Sequence, residues 1–412
     1  MTKISSIEGR ILYNSRGSKT IEIDVESEGK FLGRVCAPSG ASVGKYEVVS
    51  FPNGKPEESL RILRENSQKF IGLESSDLKG IHDTLKSLDN STNYSVIGGA
   101  LAFAVTIACM ESASKASGQP LFKTLSPESS FKFPFPLGNI LGGGAHAGSG
   151  TPDIQEILIC AIGSKSIEDA IETNLAVHKE LRRVLENEDS NFTNGRGDEG
   201  GWAPKLENQK ALEVSAKACE NLGFTLGKEV SLGVDFASST QWNEEKQKYV
   251  YDRAGFENST GEQIDFAVNI IEKYKLIYAE DAVHEEAFED MAELTAKFPN
   301  TLITGDDLTV TNKDILTKAI ASKSCNAVIL KVNQAGSLYD ALEFASVANQ
   351  NNIKLITSHR SGESTDSQIS HIGIATKSKM LKVGVVGGER VAKLNELLRL
   401  SEHGLIRGMA EI

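Results

Sequence analysis

The chain reads as an α/β protein in two parts, an N-terminal α+β domain over residues 1–128 that caps a C-terminal β/α barrel over residues 129–412. Three observations predict this. From Leu276 to Gly384, short apolar runs alternate with segments of helical periodicity such as NKDILTKAIASK and SLYDALEFASVANQ, the rhythm of strands joined by helical crossovers. Each run ends in a polar residue foreign to a core: LIYA in Glu280, TLITG in Asp306, AVIL in Lys331, KLITS in His359 and ML in Lys382. Charged residues at successive strand ends place a site on the C-terminal rim of a parallel barrel. Residues 1–60, in contrast, alternate apolar and polar side chains, which reads as an antiparallel meander with turns at Ser15 to Ser18 and Ser27 to Lys30.

Size and composition agree. At 412 residues the chain has room for a barrel of about 250 residues and one further domain. No run approaches the roughly 18 apolar residues of a membrane span, and MTKISSIEGR has no apolar core of a signal peptide, so a cytoplasmic protein is expected. The cysteines Cys36, Cys109, Cys160, Cys219 and Cys325 are odd in number and scattered, which reads as reduced core residues. A net charge of -12 repels nucleic acid and anionic membrane alike, so neither is expected as a partner, and a small-molecule anion would need the positive charge that the rim concentrates.

In order along the chain, PSGASVGKYE closes the meander as a loop, and PEESLRILRENSQKFIG and IGGALAFAVTIACMESASKA follow as helices of the first domain. Residues 118–133, punctuated by Pro120 and Pro127, cross between the domains. FPFPLGNIL opens the barrel, and GGGAHAGSG follows it as a loop that matches neither the dinucleotide nor the P-loop pattern. In the next strand, DIQEILICAI, Gln155 and Glu156 interrupt the apolar run, and the turn NGRGDEGGWAP sets Asp198 and Glu199 among glycines. SLGVDFASS adds Asp235 to the strand-end residues, residues 242–262 read as a surface hairpin without chemistry, and ERVAKLNELLRLSEHG as an amphipathic helix closing the barrel.

Each of these residues alone has a bland reading: a carboxylate in a turn is solvated, a lysine snorkels, a lone histidine is structural. Together they describe chemistry. Asp235, Glu280 and Asp306, from successive strand ends with no His or Cys among them, form an all-oxygen set suited to Mg²⁺ or Mn²⁺. Lys331 and Lys382 face the same pocket, and a lysine close to a second cation and a metal is pushed toward its neutral, basic form. Arg360 offers a two-pronged phosphate clamp with Ser361 as a further donor.

PSGASVGKYE, GGGAHAG, Gln155-Glu156, GDEGGWAP, GVDFASS, AEDAVHEEAFE, GDDLTVTN, ILKVNQAGS, SHRSGES and LKVGVVGGERVAKLNELLRL stand in the order found in enolases, and the chain resembles that family, its archaeal branch above all, from Ile11 to Leu400. The resemblance implies an enolase-type barrel and a lyase that reversibly dehydrates 2-phospho-D-glycerate to phosphoenolpyruvate in glycolysis and gluconeogenesis. It implies that Lys331 is the base at C2 and that Glu199, assisted by Glu156, protonates the departing C3 hydroxyl. Asp235, Glu280 and Asp306 match the ligands of one Mg²⁺, and Ser42 the lid ligand of a second that arrives with substrate. Arg360 and Ser361 match the phosphate contacts, Lys382 the carboxylate contact, and His146, Gln155 and His359 the pocket lining. A homodimer or higher homo-oligomer is implied as well.

Several positions depart from the family pattern. Asn14, Ser18 and Lys19 stand for Asp, Asn and Pro, Val43 for the lid threonine, and Ala282 for Pro. None is a residue matched to the reaction. A related enzyme acting beside another carboxylate would not need Arg360, Ser361 and Ser42, and a non-catalytic scaffold would not need Lys331 and Glu199.

Overall fold

The computed structural model describes residues 2–41 and 43–412. The opening meander is a three-stranded antiparallel sheet of Ile4–Tyr13, Lys19–Ser27 and Phe31–Cys36, with its turns where the Asn-Ser-Arg-Gly and Glu-Gly sequences place them. Ile21, Ile23, Val25 and Val35 point to one face and are buried against the helix Gly99–Ser117. That helix is apolar nearly all round because it lies in the interior: fifteen of its residues are buried, from Gly99 to Ser114. Residues 118–133 hold a short helix, Leu121–Leu125, and the strand Phe131–Phe133, which pairs with Ile406–Met409.

Eight strands close the barrel: Phe135–Gly142, Glu156–Cys160, Ser231–Asp235, Tyr278–Glu280, Leu302–Gly305, Ala327–Leu330, Lys354–Ser358 and Met380–Gly384. The second differs from the parallel rhythm. Glu156–Cys160 runs antiparallel to both neighbours, because the loop after Gly142 returns directly without a helical crossover. Reversal changes which end of the strand reaches the rim, so Glu156, its first residue, lies in register with Asp235, the last residue of the next strand. That is why Gln155 and Glu156 interrupt the apolar run at its start.

The lower barrel is filled by Phe135, Leu137, Leu158, Tyr278, Ile329, Ile356 and Met380. Side chains alternate faces along a strand, so the inward residues two positions nearer the rim are Glu280 above Tyr278, Lys382 above Met380 and Glu156 above Leu158. An apolar floor thus carries a charged layer. All five cysteines are buried and free of disulfides.

Candidate active site

The strand ends bring the expected residues together. One pocket is lined by all of them except Glu280, which lies against Lys382 in the charged layer, and Ser42, which falls outside the described residues. Lys382 Nζ sits among three carboxylates, 2.9 Å from Asp235 and 3.1 Å from Glu156 and hydrogen-bonded to Glu280. Burial would lower its pKa, but these carboxylates outweigh burial and hold it well above the usual lysine value. Lys331 hydrogen-bonds Asp306. Here too burial works against the charge and Asp306 outweighs it, so Lys331 is held protonated in this structure. This differs from the neutral lysine expected beside a second cation and a metal, and the reason is the neighbouring carboxylate.

A second group in the pocket is Glu156, Glu199, His146 and His359. His359 Nδ1 lies 2.9 Å from Arg390 Nη1, which can only donate, so the imidazole proton is on Nε2 and is donated to Glu199 at 2.9 Å. Burial, with Arg390 adding to it, pushes the His359 pKa down to about 4, and the ring is neutral. His146 Nδ1 stands 2.9 Å from Glu156 and 3.7 Å from Glu199. Burial and the negative charge of Glu199 raise Glu156 to about 7, whereas the imidazoles His359 and His146 overcome burial and hold Glu199 well below the ordinary range. Of the pair, Glu156 therefore has the higher affinity for a proton, where the resemblance led to Glu199 as the protonated member.

Atoms without partners mark where ligands fit. Glu280 Oε1, Gln155 Oε1 and Ser361 Oγ are buried and make no hydrogen bond among the described residues. Oxygens of Glu280, Asp281 and Asp306 gather within 4.8 Å of one another, a hard-donor set that fits a divalent cation such as Mg²⁺ or Mn²⁺. Asp281 serves mainly as a brace. Its carboxylate accepts the Asp306 and Asp307 amides at 3.1 and 2.8 Å, and its own backbone is left-handed at φ 43°.

Residues that the sequence left unremarked hold the rest in place. Glu47 grips the Arg360 fork at 3.0 and 3.1 Å, and Gln334 Nε2 donates to Asp306 Oδ1 at 3.0 Å. Arg390 donates to the carbonyls of Asp198, Arg360 and Ser361, tying the two loops that carry Glu199 and His359. Lys393 pairs with Glu363 at 2.9 Å. Arg390 and Lys393 are 0% and 1% exposed, on the same face of the last helix as Leu394 and Leu397. That spacing of 3, 4 and 7 was a signal in the sequence: two cations stand on the helix's apolar stripe.

A capping domain, a barrel with one reversed strand, and a rim of carboxylates facing lysines define a class: barrel lyases that remove a proton beside a carboxylate with a metal's help. Comparison narrows it. Residues 4–125 match the family model described as enolase, N-terminal domain, and residues 130–407 that of the enolase C-terminal TIM barrel domain. The chain is 44% identical to an enolase of Methanosphaera stadtmanae and 42% identical to one of Methanothermobacter thermautotrophicus, over 99% of each chain. It is 36% identical to an enolase of Pyrobaculum aerophilum over 97% of both chains. The chain belongs to the enolase family.

Proposed function

We propose that the residues of this pocket divide between them the enolase reaction, the reversible dehydration of 2-phospho-D-glycerate to phosphoenolpyruvate. The observation that carries the assignment is the placement of a lysine and a proton-sharing carboxyl pair in one pocket. Lys331 takes the C2 proton on its Nζ, the C2–C3 double bond forms, and the C3 hydroxyl leaves as water with a proton from the Glu156–Glu199 pair. Glu199 is the donor to the leaving oxygen, and Glu156, with its pKa at about 7, is the reservoir behind it. Lys382 stands by the substrate carboxylate, Arg360 and the Ser361 hydroxyl, which has no partner among the described residues, by the phosphate, and His146, Gln155 and His359 line the pocket.

Asp235, Glu280 and Asp306 would hold Mg²⁺, and Ser42 a second ion that comes with substrate. Bound there, the metal supplies positive charge to the doubly negative carboxylate formed on proton removal and offsets the Asp306 charge that keeps Lys331 protonated. We further assign the chain to the cytoplasm as a homodimer or higher homo-oligomer, with a domain boundary at 128/129; light scattering decides the assembly. Among the described residues no helix is long and apolar enough to cross a membrane.

The test is the Lys331→Ala protein. It should lose exchange of the C2 proton with solvent and phosphoenolpyruvate formation by at least about a thousandfold, while Mg²⁺ binding by calorimetry persists. Retained C2 exchange would show that another group is the base.

A further inference from the structure

We propose that Arg253 is a positioning residue, clasping the loop over residues 144–153 so that His146 and Gln155 are held in the pocket. The sequence assigned no chemistry to residues 242–262. In the structure they form a three-stranded antiparallel sheet of Trp242–Asn243, Lys248–Tyr251 and Phe256–Asn258 that is fixed on the barrel. Tyr249 and Tyr251 are buried, the Tyr251 hydroxyl donates to Gln263 at 3.0 Å, and Trp242 stacks on His284 at 4.3 Å. The tip of this sheet, residues 252–255, is therefore a firm post beside a Gly-rich loop.

Post and loop grip each other in both directions. Arg253 Nη1 donates to Thr151 O at 3.0 Å, Thr151 Oγ1 at 2.7 Å and Pro152 O at 2.9 Å, and Nη2 donates to Gly144 O at 3.2 Å. In return the Asp153 carboxylate accepts the Arg253 and Ala254 amides at 3.2 and 3.1 Å. The clasp touches both ends of a loop closed at its base by Gly143 N to Gln155 O and Gly144 N to Pro152 O. From that loop His146 reaches Glu156, Gln155 Nε2 donates to Asp235 at 3.2 Å, and His146 O accepts the Asp198 amide beside Glu199.

Without the Arg253 donations, a loop with Gly144, Gly148 and Gly150 keeps its base bonds and the Asp153 contacts but has less to set against its entropy, and the fraction of molecules with His146 in place falls. Binding would then have to restore the loop, so apparent affinity drops by that fraction while the bound complex reacts at nearly its former rate. The position of Arg253 thus feeds into KM and leaves kcat largely alone.

The experiment uses the full chain with Arg253→Met and Arg253→Lys, read by steady-state kinetics on 2-phosphoglycerate and by amide hydrogen exchange. Arg253→Met should raise KM about tenfold with kcat within about twofold, and speed exchange across residues 144–153 but not in the barrel helices. Arg253→Lys should lie between, since three donors face four acceptors. Unchanged exchange in the loop, or a fall in kcat at unchanged KM, would overturn the proposal, and so would faster exchange throughout the barrel. The kinetic arm rests on the proposed reaction; the exchange arm needs no substrate, so the two failures are distinguishable. If Arg253→Met does not fold, Thr151→Val, which removes one of the four acceptors, should shift loop exchange and KM in the same direction, and no shift there overturns the proposal.

Discussion

His178 shows how one buried side chain couples pH to the shape of the site. It lies on the helix Ile167–Glu188, stacks on Trp202 at 4.7 Å and is hydrogen-bonded through Nε2 to the Gly200 carbonyl at 3.0 Å, next to Glu199. A carbonyl only accepts, so the proton is on Nε2. Burial lowers the His178 pKa to about 4, against roughly 6.5 in an unfolded chain. Between those values the unfolded state binds the extra proton and the folded state does not, so stability falls as pH drops through that window. The full cost is on the order of 3 kcal/mol, reached near pH 4. His178→Gln keeps an amide donor and removes the titration. Urea unfolding at pH 7 and pH 5 should show a smaller loss of stability for this variant than for the parent. Equal losses would mean that His178 is not the acid-sensitive group. Asn14, a departure from the family's aspartate, is explained at the same scale. Its Oδ1 accepts the Arg16 and Ser18 amides at 3.0 and 3.1 Å, as an aspartate could, while Nδ2 donates to Ser39 Oγ at 2.8 Å.

At the scale of elements, the close fit of the first sheet to its helix rests on a missing side chain. A Cβ on Gly33 would lie 1.9 Å from the Ala108 carbonyl oxygen and 2.8 Å from the Ser112 amide, backbone that cannot rotate away. Gly33→Ala should therefore force sheet and helix apart and cost at least about 1–3 kcal/mol, read as a lower unfolding midpoint in urea. An unchanged midpoint would mean that the two elements can separate without loss. The sequence held the elements themselves well. The meander, the long apolar helix, the crossovers and the strand-end residues are all where periodicity and turn chemistry put them. It did not reveal the reversed second strand, because a short apolar run looks the same in either direction; only Gln155 and Glu156 at its start hinted at it. Nor did it reveal Glu47, Asp281 or Gln334. They lie within the motifs PSGASVGKYE, AEDAVHEEAFE and ILKVNQAGS, but their roles depend on meetings between distant segments, such as Glu47 with Arg360, which the motifs alone do not show.

For the whole molecule, the first domain holds the barrel's SHRSGES loop in place. Ser39 and Gly362 exchange backbone hydrogen bonds at 2.8 Å, Ser15 N donates to Glu363 O at 2.8 Å, and Cys36 N donates to Asp366 at 2.7 Å. The strongest tie is ionic. Glu47 and Arg360 pair with side chains only 5% and 4% exposed, and the two segments lie 313 residues apart. Removing the charge from one member of a buried pair leaves the other uncompensated, which costs about 3–5 kcal/mol. Glu47→Gln should accordingly lower the thermal midpoint clearly. The same pair bears on substrate, because Arg360 is also the cation proposed for the substrate phosphate. In the parent protein a phosphate group meets an arginine paired with Glu47; in Glu47→Gln it meets one that has lost this carboxylate and keeps the more distant charges of Asp306 and Asp307. A ligand that binds only the folded state raises stability in proportion to the logarithm of its concentration over its dissociation constant. Inorganic phosphate should therefore raise the midpoint of Glu47→Gln more than that of the parent, in scanning calorimetry at matched ionic strength. Equal shifts in the two proteins would show that Glu47 and phosphate do not share Arg360, and would move the phosphate site to Ser361 and its neighbours.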